Sequence, residues 1–388
     1  MTAQDAAARL FHDTFGEEPQ GVWSAPGRVN LIGEHTDYNG GLCLPIALPH
    51  RTYAALRRRA DRRLRIVSAQ GDGVVEIDLD DVGPGSPEGW AAYVAGVPWA
   101  LERAGHVVGG FDVAVDGRVP LGAGLSSSAA LECAVASAVS DGFGLGLLES
   151  AAGRAALAAA CVEAENTVAQ APTGGMDQSA SLLAEPGHAL LLDCRDFSTE
   201  QVPFDLDDHD LALLVVDTRA VHELVDGQYA ERRDSCEQAA RELGVETLRD
   251  VPADELDAAL DRLSSDLLRK RTRHVVTEIA RVHQAREALR SDDFDRLGAL
   301  FLSSHDSMRD DFEISVDELD TVVTSATGAG ALGARMTGGG FGGSAIALVR
   351  RGDAGSVQAA VEKAFADHGF HAPECFVVSA AGPAGRDL

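Results

Sequence analysis

Lysine is almost absent: Lys270 and Lys363 are the only two in a chain of 388 residues. A nucleotide-binding loop of the G-x-x-x-x-G-K-[ST] kind needs its lysine beside a Gly-rich turn. Neither lysine stands near one, so any phosphate bound here must be met by backbone amides, arginine or metal. Cysteine is sparse and scattered. Cys43, Cys133, Cys161, Cys194, Cys236 and Cys375 form no C-x-x-C and no metal-ligand spacing, which reads as reduced, mostly buried thiols of a cytoplasmic protein. No apolar run approaches the ~18 residues a membrane span requires. The opening MTAQDAAARLFHDTFGEE carries acidic residues and lacks the apolar stretch of a signal peptide. Positive charge is also in deficit: 33 Lys and Arg face 61 Asp and Glu, a formal net charge of -28. Nucleic acid and anionic membranes would be repelled by such a surface, so neither is expected as a partner. What is plentiful is apolar sequence, 45% of residues, as in a globular protein. The length exceeds one ordinary core and predicts two domains.

Short apolar runs alternate with longer Ala-rich stretches. Strands are predicted at Arg65–Ser68, Gly110–Val115, Ala189–Asp193, Leu211–Asp217, Ser344–Val349 and Cys375–Ser379. Helices are predicted at Ser126–Phe143, Ser150–Val168, Gln228–Leu243, Ala253–Leu263, Arg273–Ser291 and Asp353–His368. The class is α+β, without internal repeats. The polar stretch Asp193–Asp210 offers a boundary near Phe204, giving domains of 1–204 and 205–388.

Pro120-Leu-Gly-Ala-Gly-Leu-Ser-Ser-Ser-Ala-Ala-Leu-Glu132 is a Gly-rich loop running into a helix. Gly122 and Gly124 permit close backbone approach, and a helix start offers free amides and partial positive charge to a phosphate. Serine hydroxyls can donate to phosphate or ligate Mg²⁺. An ordinary serine cap after a turn accounts for the same residues. Leu131, Val135 and Val139, at i, i+4 and i+8, fit one buried face.

Two carboxylates follow on the next helix. Leu157, Cys161, Ala164 and Val168 make its apolar side; at about 100° per residue Glu165 falls at the edge of that side and Glu163 well away from it. Glu165 is therefore the one that can point inward toward a metal, or make an edge salt bridge, and Glu163 is expected in solvent. Thr173-Gly-Gly-Met-Asp-Gln178 comes after Pro172, which stops a helix. Asp177 suits chemistry at such a turn, but its position alone favours a helix cap.

Near the N-terminus, Arg28, Glu34, His35 and Asp37 crowd into ten residues before the Gly40-Gly41 turn. Acceptors and donors of this kind suit sugar hydroxyls, and Arg28 suits a phosphoryl group; a polar surface loop is the plainer reading. A third Gly-rich run, Ala334–Gly343, precedes the strand at Ser344. It does not open a helix after a strand, which argues against a dinucleotide fold.

Taken in order, these three motifs resemble the GHMP kinase superfamily, and within it the galactokinase family. Gly27–Gly41 resembles the galactokinase signature, Pro120–Glu132 the superfamily phosphate loop, and Ala334–Gly343 its C-terminal glycine motif. The resemblance implies two α+β domains with the active site in the cleft between them. It implies Asp177 as catalytic carboxylate with Arg28 beside it, and Glu34, His35, Thr36, Asp37, Gly174 and Tyr229 at the sugar. Ser68, Gly122, Ala123, Gly124, Leu125, Ser126, Ser127 and Ser128 are implied at ATP, with Ser128 and Glu165 as Mg²⁺ ligands. The implied reaction moves the γ-phosphoryl of ATP to the anomeric hydroxyl of galactose, in a monomer or weak homo-oligomer. Where the family usually has Gly-Ile-Met-Asp, this chain has Gly174-Gly-Met-Asp177, which predicts a looser turn. Kinases for N-acetylgalactosamine or arabinose are the nearest rivals, and a galactose sensor without turnover is a rival of another class.

Overall fold

The computed structural model describes residues 2–220 and 225–388, with side chains after the gap from residue 227 onward. Its strands are Gly21–Asn30 (β1), Leu42–Cys43 (β2), Pro45–Arg58 (β3), Arg63–Ser68 (β4), Val74–Asp78 (β5), Phe111–Gly117 (β6), His188–Asp193 (β7), Thr199–Pro203 (β8), Leu211–Asp217 (β9), Gly333–Thr337 (β10), Ser344–Arg350 (β11), Glu374–Val378 (β12) and Gly385–Arg386 (β13). They form three sheets, ordered β13-β1-β3-β6-β4-β5, β10-β11-β9-β12 and β2-β7-β8. Only β4 and β6 run parallel.

The expected cut at 204/205 falls between β8 and β9, the first strand of the second sheet. The halves are nonetheless knitted together. One buried cluster draws Val29, Leu31 and Ile46 from the first half and Leu213, Val215 and Ile346 from the second. The C-terminus also returns to the first sheet, where Arg386 pairs with Trp23.

All six expected strands are present within a residue or two, but the segment read as a polar loop is in part strand β1. All ten residues of β1 are buried, so it lacks the alternation that advertises a half-exposed strand. Its register against β3 shifts between Pro26 and Arg28, where Leu48, Pro49 and His50 oppose Gly27. Gly27 lies against the phosphate-loop backbone, where a β-carbon would stand 2.5 Å from the Leu125 carbonyl.

The helix after the Gly-rich loop runs Ser127–Gly142. Val135 and Val139 are fully buried as expected, whereas Leu131 is half-buried, packing against the same core and lining a cavity. The next helix is α-helical over Ala151–Glu163 and then widens to a π turn over Ala164–Val168. Such turns recur at functional sites, and this one carries Glu165. The predicted Arg273–Ser291 helix begins earlier, as Asp266–Arg290, because the Ser265 side chain caps it. No described helix is long and apolar enough to cross a membrane.

Candidate active site

The Arg28 guanidinium forks onto the Asp177 carboxylate, with Nε 2.8 Å from Oδ1 and Nη2 3.0 Å from Oδ2. Nη1 donates to the Gly124 carbonyl at 2.6 Å, fastening the same arginine to the phosphate loop. Ser126, in a left-handed conformation at φ 61, donates its hydroxyl to Asp177 Oδ2 at 2.5 Å. Asp177 is therefore not the cap. Gly175, at φ 91, holds that position before the Met176–Leu183 helix, and Asp177 stands in the first turn facing Arg28. The second glycine supplies the positive φ of the turn, and a β-carbon there would meet Phe197 at 2.9 Å.

Two cavities meet at this pair. The smaller, about 190 Å³, is lined by Glu34, His35, Asp37, Thr173, Tyr229 and Gly339 among others; the larger, about 820 Å³, runs along Pro120–Ser128 and the 339–343 glycines. Arg28 and Asp177 line both. A third cavity, about 280 Å³ and mostly apolar, continues from Leu121 and Ser127 to Ser68, Gln70, Trp90 and Leu131.

In the small cavity the sequence-predicted residues divide. Asp37 lines this cavity, and burial pushes its carboxyl up to about 6 against the opposing Tyr38 amide hydrogen bond. Tyr229 lies beside His35, with ring centroids 5.1 Å apart. His35 lines the wall but has both nitrogens engaged, Nε2 with the Gly339 carbonyl at 3.0 Å and Nδ1 with the Tyr38 hydroxyl at 2.7 Å. A carbonyl only accepts, so Nε2 carries the proton and Nδ1 accepts from Tyr38. Burial holds this imidazole neutral, its pKa lowered to about 3. Glu34 is bound by Arg335 and accepts from the Gly338 amide at 3.1 Å. Thr36 stands apart from the others: its hydroxyl donates to the Gly33 and Leu42 carbonyls at 2.9 and 2.7 Å, and the residue is not in the cavity lining. Gly174 also stands outside the lining, because it is packed behind Asp37, where a β-carbon would fall 2.2 Å from Oδ2.

Along the phosphate loop Gly122, Gly124, Leu125, Ser126, Ser127 and Ser128 line the large cavity, whereas Ala123 does not. Ala123 is fully buried and accepts from the Ser344 hydroxyl at 2.7 Å. Ser68 is in the apolar cavity.

Glu165 points inward as its helical position implied and is 7% exposed, whereas Glu163 pairs with Arg103 at 2.8 Å on the surface. Burial, reinforced by the Asp177 charge, pushes the Glu165 carboxyl up to about 7, and the Ser128 hydroxyl and the Gln178 amide bond to it. Sequence reasoning missed Gln178 and Glu132. The Gln178 amide bridges Glu165 Oε2 at 2.5 Å and Glu132 Oε2 at 3.1 Å, and Glu132 Oε1 is buried without a partner. The one sequence signal was a glutamate interrupting an Ala-rich, otherwise apolar helix. The half-buried Ser128 hydroxyl beside carboxylate oxygens is a hard donor set that fits Mg²⁺.

Comparison with known proteins agrees with this geometry. Residues 9–58 match the family model for the galactokinase galactose-binding signature, 92–185 that for the GHMP kinases N terminal domain, and 285–367 that for the GHMP kinases C terminal. A galactokinase of Streptomyces coelicolor is 53% identical over 368 residues, covering 94% of both chains. The chain belongs to the galactokinase family. Membership makes it an ATP-dependent sugar kinase of the GHMP fold. A galactokinase of Bos taurus is 41% identical across 98% of this chain and 96% of its own. The crystal structure of Lactococcus lactis galactokinase complexed with galactose, 32% identical, superposes over all of both chains with a TM-score of 0.93. Methanococcus jannaschii mevalonate kinase, at 16% identity and a TM-score of 0.64, shares the fold alone.

Proposed function

We propose that this galactokinase family member transfers the γ-phosphoryl group of ATP to the anomeric hydroxyl of α-D-galactose, giving α-D-galactose 1-phosphate and ADP. The observation that carries the reading is the Arg28–Asp177 pair in the wall common to the small polar cavity and the phosphate-loop cavity. Galactose occupies the first, with Asp37 and Tyr229 as direct contacts and Glu34 and His35 shaping the wall. The ATP phosphates follow Gly122–Ser128, and the adenine enters the apolar cavity near Ser68 and Trp90.

Phosphoryl transfer rests on positioning and electrostatics. Asp177 accepts the proton of the anomeric hydroxyl as the oxygen attacks. Arg28 orients that carboxylate by its fork and faces the charge developing on the phosphoryl group. The Ser126 bond fixes the carboxylate's second oxygen. Mg²⁺, held by Ser128 and Glu165, would neutralise phosphate charge. Residues 1–204 and 205–388 serve as the two domains about this cleft.

A panel of sugars with ATP and coupled ADP detection tests the assignment. Turnover of galactose with weak activity on glucose is expected; equal or faster turnover of an amino sugar or a pentose would overturn it.

A further inference from the structure

The geometry points to Arg219 as a second phosphate-binding cation of the nucleotide site, held aside by Glu374 until a nucleotide enters. The inference rests on the ATP-site reading above. Two arginines line the large cavity, Arg28 and Arg219, beside the carboxylates Asp177, Asp217 and Glu374. Arg28 is committed to Asp177 through a bidentate pair. Among the described residues of this lining, Arg219 is the cation that can turn to a polyanion.

Its present partner is easily displaced. Arg219 Nη2 meets Glu374 Oε2 at 2.5 Å, but the two side chains are 55% and 54% exposed, and pairs that open to water are worth little. A nucleotide offers more negative charge and a bidentate pair of phosphate oxygens for the guanidinium fork. The backbone, by contrast, is firmly set. Arg219 is a non-glycine residue at φ 52, a conformation that costs energy and concentrates at ligand sites. It is held there by the Asp217 carboxylate, which accepts from the Arg219 amide at 2.9 Å. Thr218 next to it donates to the Gly343 carbonyl at 2.6 Å, so the residue is anchored to the glycine run that forms the cavity's other wall.

Calorimetric titration with ADP, run beside titration with galactose, tests this on the full chain. Arg219→Ala should weaken ADP by about 10- to 100-fold, the range of a hydrogen bond to a charged group, and leave galactose affinity unchanged. Arg219→Gly removes the charge while fitting the left-handed backbone, so it should melt no lower than the parent and lose ADP affinity equally. Arg219→Lys should recover part of the loss. Glu374→Gln should tighten ADP by about 2- to 5-fold, the worth of the exposed pair it removes. ADP binding by Arg219→Ala and Arg219→Gly at parental affinity would overturn the inference. A parent chain that binds neither ADP nor galactose would instead overturn the kinase reading itself.

Discussion

Arg335, from the strand that precedes the C-terminal glycine run, lies fully buried with its guanidinium on the carboxylate of Glu34, from the sugar signature 301 positions earlier. The same arginine donates to the Leu31 carbonyl at 2.7 Å. The wall of the small cavity is thus fixed by a charge pair between residues 301 positions apart. Removing one partner leaves the other charged and unpaired in the interior, which costs about 3–5 kcal/mol. Arg335→Ala should therefore lose that much stability in denaturant unfolding. Arg335→Met, roughly matched in volume, should fare no better while Glu34 remains, and improve when combined with Glu34→Gln.

Gly174 carries no side chain because Asp37 fills the space. Gly174→Ala would overpack that contact, typically at about 1–3 kcal/mol. Galactose affinity should fall by about tenfold or more, measured by calorimetry, with ADP affinity unaltered. Loss of both together would mean that the two cavities are less independent than their linings imply.

Ser128→Ala and Glu165→Gln should raise the Mg²⁺ concentration needed for tight ADP binding and leave galactose binding nearly intact. Glu163→Ala should change neither, since its partner Arg103 is a surface residue. Calorimetry with ADP across a Mg²⁺ series separates the three.

His274 is fully buried, and burial lowers its pKa from 6.5 to about 4. Its ring bonds the Ser307 hydroxyl at 2.9 Å and the Glu34 carbonyl at 3.1 Å. The unfolded chain takes up this proton near pH 6.5 and the folded chain only near 4, so the unfolded state gains stability between those values. The contribution is present above pH 6.5 and lost as pH falls toward 4. Relative to His274→Asn, the parent should lose about 2 kcal/mol of stability between pH 7 and 5, at 1.36 kcal/mol per unit below 6.5. Parallel stability curves for the two proteins would contradict a buried neutral imidazole.

The sequence disclosed some of this and hid some for identifiable reasons. Glu165 was legible because helical angle alone separates it from Glu163. The two Gly-rich segments were legible as neighbours of a cavity because so many glycines together point to close backbone approach. Asp177 read as a cap because its real partners, Arg28 and Ser126, stand 149 and 51 positions away, and no local rule pairs them. Thr36 read as a sugar contact through the company it keeps, yet its hydroxyl ties down the turn that presents Asp37. β1 escaped because Pro26, Gly27 and burial on both faces erase the alternating pattern. Burial and distant pairing decide all three, and periodicity carries neither.

In the proposed reaction Asp177 takes the proton and Arg28 orients it. Asp177→Asn keeps the shape but puts an NH2 where a carboxylate oxygen accepted, breaking half of the Arg28 fork, and cannot take the proton, so turnover should fall by about 10²–10⁴-fold while galactose affinity changes much less. Arg28→Lys retains charge without the fork and should also slow turnover. Turnover, galactose affinity and melting temperature, measured on one Asp177→Asn preparation, decide the matter. Lost turnover with sugar affinity close to the parent's is expected, along with a lower melting temperature because buried Arg28 loses its charged partner; near-normal turnover would contradict the assignment whatever the melting temperature.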